Sequence, residues 1–141
     1  MPTRREDWPE RLRAFVEAAA RTPFAYGSHD CLLFATGAIE AMTGTDLAAA
    51  ARGTYRDAEG AAAALAAFAG GGVLEAAERV AAEHGLQEIA WPLAQRGDVA
   101  VVRTPLGPAL GICTGTHAAV AAPVGLAMVQ MARIARAWRV G

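Results

Sequence analysis

Along the first 84 positions, apolar residues recur at the three- and four-residue spacing of helices. After Gly85 the pattern changes to short apolar and β-branched runs broken by turn residues. Leu12, Phe15, Val16 and Ala19 form one stripe behind Asp7-Trp8-Pro9, where the proline suits a helix start. Phe34, Ala35, Ala38, Ile39 and Met42 form a second stripe, which predicts a helix from Cys31 to just before Gly44. Pro23 and Gly27 keep the preceding stretch irregular, and Asp30 stands where a side-chain oxygen can cap the new helix. Residues 45–56 read as a loop closing on Gly53-Thr54-Tyr55. Asp57 is placed to cap an alanine-rich helix that carries Leu65 and Phe68 and is stopped by Gly70-Gly71-Gly72. A fourth helix runs from about Val73 to His84 and stops at Gly85.

The second half reads as strands. Asp98–Thr104 follows the turn signal Arg96-Gly97-Asp98, and a Pro105-Leu106-Gly107-Pro108 turn leads to Ala109–Cys113. Thr114-Gly115-Thr116 turns the chain into His117–Ala122, and Pro123-Val124-Gly125 turns it into Leu126–Met131; Ala137–Val140 is a candidate last strand. The plan is α+β: an N-terminal helical lobe followed by a four- to five-stranded antiparallel meander, read as a single domain over residues 1–141. The Arg96-Gly97-Asp98 triplet is a turn into a strand rather than an adhesion signal.

Composition narrows the function classes. Alanine supplies about a quarter of the residues, all 13 basic residues are arginine, and the net charge is −1. No basic stripe exists, so nucleic-acid binding has no support. The arginines at 4, 5, 11, 13 and 21 alternate with Glu6, Asp7, Glu10 and Glu17, which reads as a solvated helix face. The longest apolar stretches, near residues 61–69 and 118–129, fall short of the ~20 residues of a membrane span. The charged residues 1–13 do not read as a signal peptide, so the expectation is a soluble protein made in the cytoplasm. Cys31 and Cys113 are too few for a disulfide framework, and neither CxxC nor HExxH spacing occurs; the expectation is free thiols, no metal and no cofactor.

Cys31 is the residue with the clearest chemical promise. A thiol at the first helical position feels the positive end of the helix dipole, which favours the thiolate. Its bland alternative is packing, because free cysteines are among the most buried residue types.

The order of motifs resembles a known family. Thr22-Pro23-Phe24-Ala25-Tyr26-Gly27, then His29-Asp30-Cys31 at a helix head, then Arg96-Gly97-Asp98 into a strand, then Pro108-Ala109-Leu110-Gly111-Ile112-Cys113 into a hairpin, is similar to the NlpC-type cell-wall peptidases. These are papain-like cysteine hydrolases that cut peptidoglycan stem peptides. The resemblance covers roughly residues 8–122 and is close to small phage and prophage proteins encoded among tail genes. It implies a papain-like fold with Cys31 as nucleophile, a base on the strand that begins at Ala109, and a third, orienting residue on the facing strand.

The departures from that pattern matter as much. The family's base histidine falls on Ala109, the orienting position falls near Ala121, and the tyrosine after proline is Phe24. Leu32 stands where a serine commonly follows the cysteine. A cysteine nucleophile needs a base within about 2.6–3.2 Å, and alanine supplies none. If the Thr114-Gly115-Thr116 turn sets the register, Cys113 pairs with His117 and Ala109 with Ala121. His117 then lies about 13 Å along the sheet from the base position, at 3.3 Å per residue. His117 is the first candidate for a substitute base and His29 the second; His84 reads as the end of its helix. Alternation places Ala109, Gly111 and Cys113 on one strand face. If that face meets the Cys31 helix, the cleft is apolar, shallow and better suited to packing against a partner.

Two functions from different classes follow. One is a phage-tail or gene-transfer-agent module, a degenerate or weak peptidoglycan peptidase that acts mainly as a tail-tip or tail-assembly protein of the virion tail, with tail or tail-tip proteins as partners. The other is an active cell-wall cysteine peptidase in which Cys31 attacks a stem-peptide carbonyl, with the helix-head N–H groups holding the oxyanion. A thiol-based redox sensor ranks below both, because it rests on Cys31 alone.

Overall fold

A computed structural model describes residues 2–141. Four helices come first: α1 (Trp8–Ala19), α2 (Cys31–Thr43), α3 (Ala58–Ala69) and α4 (Val73–His84). Six strands follow: β1 (Gln87–Ile89), β2 (Val99–Thr104), β3 (Gly107–Cys113), β4 (His117–Ala121), β5 (Leu126–Gln130) and β6 (Ile134–Arg139). Short 3-10 turns at Trp91–Leu93 and Met131–Arg133 complete the set. The α+β plan and the ends of α2, α3 and α4 match expectation, each of the three closing on a glycine in the left-handed region. No single helix among the described residues is long and apolar enough to cross a membrane.

The sheet corrects the expected meander in three ways. It has six strands, not four or five, in the order β1-β6-β2-β3-β4-β5, every pairing antiparallel. Only β2 to β5 form a meander; β6 crosses back to the free edge of β2, and β1 lies outside it. The β3–β4 register is shifted by one residue, with Cys113 opposite Ala118 and Ile112 opposite Ala119. The cause is the turn. Thr114 N–H donates to the His117 carbonyl at 2.8 Å, leaving only Gly115 and Thr116 in the loop. Gly115 takes a φ of +107°, which a two-residue turn with glycine first accommodates.

Two apolar layers hold the sheet. On one face Val101, Leu110, Ile112, Ala119 and Trp138 meet Phe34, Ala35, Ala38, Ile39 and Met42 of α2. That helix is apolar nearly all round because it is sandwiched between the sheet and α1, whose Leu12 and Ala19 are buried against it. On the other face Ala100, Val102, Cys113, Ala118, Val120, Ile134 and Ala137 pack beneath Ala94, Ile89 and Met131. α3 stands apart, with no residue in the buried class.

The charged N-terminus is not wholly a solvated face. Arg4 turns inward and its Nη2 donates to Asp98 Oδ1 at 3.1 Å, while the Arg4 Nε–H donates to the Val140 carbonyl. Asp7 precedes α1 without capping it; its carboxylate accepts from Arg11 instead.

Candidate active site

Cys31 opens α2, as its position after Asp30 predicts. Asp30 is buried and fully engaged. Oδ1 accepts the Leu33 backbone N–H at 2.9 Å, which caps the helix. Oδ2 accepts the Gly27 N–H at 3.0 Å and the Tyr55 hydroxyl at 2.7 Å. Gly27 is required at its place: its φ is +87°, and a Cβ there would lie 2.1 Å from the Tyr55 carbonyl oxygen. The loop before α2 and the loop ending at Tyr55 are thereby clamped together at the helix head.

The electrostatics run against the expected thiolate. Burial pushes the Cys31 thiol above its ordinary value, and the nearby Asp30 carboxylate pushes the same way. Polar backbone of Leu110, Leu32 and Cys31 itself pulls it down by less. Desolvation is the largest of these influences on the thiol. Tyr55 is likewise held well above the ordinary tyrosine range by burial and by its bond to Asp30, so its hydroxyl is a committed donor. The buried Cys113 thiol is also raised by burial, and its sulfur lies 3.6 Å from that of Met131.

The β3 residue whose backbone lies at the Cys31 thiol is Leu110, not Ala109. Leu110 and Ile112 point to the helical layer, whereas Ala109 and Cys113 belong to the opposite layer. The condition that the face of Ala109, Gly111 and Cys113 meets the Cys31 helix is therefore not met. Continuing the observed register sets Leu110 across from Ala121, which packs against the helical layer too. Gly111, on the far face, has no room for a side chain, since a Cβ would meet the Ala119 carbonyl oxygen at 2.5 Å.

The three histidines are dispersed. His117 shares a strand face with Ala119 and Ala121, but it stands about 13 Å along β4 from Ala121 at 3.3 Å per residue. Its Nδ1 is 3.0 Å from Thr116 Oγ1, and its partner across β5 is Gln130. His29 is pinned by two backbone bonds to Ala25, and its ring lies edge-on to Phe34 with centroids 6.1 Å apart. His84 ends α4. No hydrogen bond links any of them to Cys31 among the described residues. No cluster of three or more potential metal ligands occurs among these residues.

One family pattern matches residues 3–140. The chain belongs to the DUF6950 family. Its description is a domain of unknown function, so membership fixes kinship and leaves the chemistry to the residues. No curated protein matches the chain. In this DUF6950 domain the chemical unit at the head of α2 is Cys31, Asp30, Tyr55 and the Leu110 backbone. Sequence reasoning found the first two. It missed Tyr55, whose only signal was its place in the Gly53-Thr54-Tyr55 loop, and it missed Leu110 because strand facing depends on how the helix docks.

Proposed function

We propose that this domain is a papain-like, NlpC-type module that has kept the scaffold without efficient hydrolysis, and that it serves as a tail-tip or tail-assembly protein of a phage or gene transfer agent. The observation that carries this reading is that the Leu110 backbone borders the Cys31 thiol while the Leu110 side chain, like Ala121, packs into the apolar helical layer. A nucleophilic thiol there would need a base in hydrogen-bond reach; next to it β3 and β4 supply Leu110 and Ala121, and His117 stands about 13 Å along β4 from Ala121. The raised thiol compounds the loss. Assignment to a virion tail, with tail proteins as partners, rests on the motif resemblance to small tail-encoded members of that superfamily.

A second reading, an active peptidoglycan peptidase, draws on one feature. Cys31 is only partly buried and sits at a helix head, where free N–H groups suit an oxyanion. Incubation of the purified protein with isolated cell walls separates the two. The expected result is no soluble peptide above background, with Cys31→Ser leaving fold and docking to tail proteins intact. Digestion that is abolished by Cys31→Ala and slowed about 10²–10⁴-fold by His117→Ala or His29→Ala would establish the peptidase.

A further inference from the structure

Residues of α1 and α2 border an open groove of about 580 Å³ whose lining does not include Cys31. Its polar rim is unusual. Arg5, Arg11 and Arg52 face Glu40 as the single acidic lining residue. Arg11 spends its Nε on Asp7, and Arg52 spends Nε and Nη2 on Asp46, so each keeps further N–H donors free. Arg5 has neither a side-chain hydrogen bond nor an ion pair among the described residues, and it lies against Gly44 at the C-terminal end of α2.

His29 stands at the other end of the groove. It is 8% exposed, and its Nε2 is sealed from solvent with no hydrogen-bond partner. An imidazole nitrogen left unpaired in the interior is a standing cost. Between the two ends, Phe15 and Leu33 form an apolar wall, and Gly37 makes room for the Phe15 ring. From Leu33 to Gly44 the groove follows α2 for about 17 Å at 1.5 Å per residue. An extended chain covers that in about five residues.

We propose that this groove binds an extended peptide segment of about five residues, its carboxylate on the Arg5 guanidinium and an apolar side chain on Phe15. Glu40 faces the peptide N–H groups and disfavours a polyanion such as a nucleic acid. This site is separate from Cys31, and its failure would leave the reading of Cys31 untouched.

The test is an NMR titration of the ¹⁵N-labelled chain with three probes. They are acetyl-Ala-Phe-Ala-Ala with a free carboxylate, its C-terminal amide, and acetyl-Ala-Phe-Ala-Glu amide. The expected result is saturable shifts of the Gly37 and Gly44 amides and the Arg5 Nε–H with one or both acidic probes. The neutral amide should bind about tenfold more weakly, the scale of one charge-assisted hydrogen bond. The order of the two acidic probes tells whether the carboxylate comes from a chain end or a side chain. Arg5→Gln should weaken the acidic probes to the level of the neutral one. Gly37→Ala, whose Cβ would meet the Phe15 ring at 2.7 Å, should weaken all three by crowding the wall. Absence of saturable shifts, equal binding of the neutral amide, no effect of Arg5→Gln, or shifts centred on Cys31 and Leu110 would each overturn the proposal.

Discussion

The Tyr55 hydroxyl donates to Asp30 Oδ2 at 2.7 Å, joining the loop after α2 to the residue that caps the same helix. Asp30 already accepts from Leu33 and Gly27, so the tyrosine completes a three-donor shell around a buried carboxylate. A hydrogen bond to a charged acceptor contributes about 1.5–3 kcal/mol. Tyr55→Phe should therefore lower unfolding free energy by about 2 kcal/mol, read from urea denaturation with the slope unchanged. A loss below about 0.5 kcal/mol would show that water replaces the hydroxyl at no cost.

Alkylation reports the state of the thiols. Cys31 is partly buried and Cys113 is wholly buried, so iodoacetamide should modify Cys31 first. Because burial raises both thiols, Cys31 should still react more slowly at neutral pH than an unfolded cysteine, and its rate should keep climbing past the ordinary thiol range. The linkage has a definite sign. Cys31, Cys113 and Tyr55 hold their protons more tightly folded than unfolded, so their contribution to stability is fully present below the unfolded values and is lost as pH rises through the folded ones. Urea midpoints should fall between pH 8 and alkaline pH, and Cys31→Ser should reduce that fall. Rapid labelling of Cys31 at pH 7 would mean the helix dipole outweighs desolvation after all.

What was legible in the chain was what is decided locally. The Asp30 and Asp57 caps and the Gly44, Gly70 and Gly85 stops are each set by a few neighbouring residues, and they fall where the pattern puts them. The register of β3 on β4 depended on whether the turn held two residues or three, which the φ of Gly115 settles and Thr114-Gly115-Thr116 does not announce. That single residue of slip exchanges the faces of paired side chains. β1 was hidden because three residues carry no periodicity, and Gln87-Glu88-Ile89 is held by pairing with β6 and by the Glu88 contacts of Arg136. The Leu110 backbone beside the Cys31 thiol is a tertiary outcome, fixed only when α2 docks on the sheet.

Asp98 is the long-range counterpart of Asp30. It is fully buried and accepts from the Gln95 N–H at 2.8 Å, the Val140 N–H at 3.4 Å and Arg4 at 3.1 Å, with Arg139 3.7 Å away. It therefore ties both chain ends to the turn into β2. Removing one partner of a buried ion pair costs about 3–5 kcal/mol, because the other charge is left uncompensated. Asp98→Ala should approach that loss, and Arg4→Met, which removes a partly exposed cation, should cost less. Equal effects of the two variants in thermal melts would show that the ion pair, not the backbone contacts, carries the stabilisation.

α3 should be the first element to open. Its capping is sound, with Asp57 Oδ1 accepting the Gly60 N–H at 2.7 Å and Gly70 closing the far end. Yet none of its residues is in the buried class, and an apolar cavity of about 330 Å³ separates Leu65 and Phe68 from Leu32 and Val80. A twelve-residue helix is marginal on propensity alone, so tertiary packing must supply the rest, and here it supplies little. α2, of similar length, is buried on nearly every face. Native-state hydrogen exchange should therefore show α3 amides exchanging through local opening, while α2 amides exchange only with global unfolding. Filling the cavity with Ala64→Leu should slow α3 exchange selectively and leave α2 rates unchanged. If α3 and α2 exchange together in the wild type, the helix is part of the cooperative core and the cavity does not weaken it.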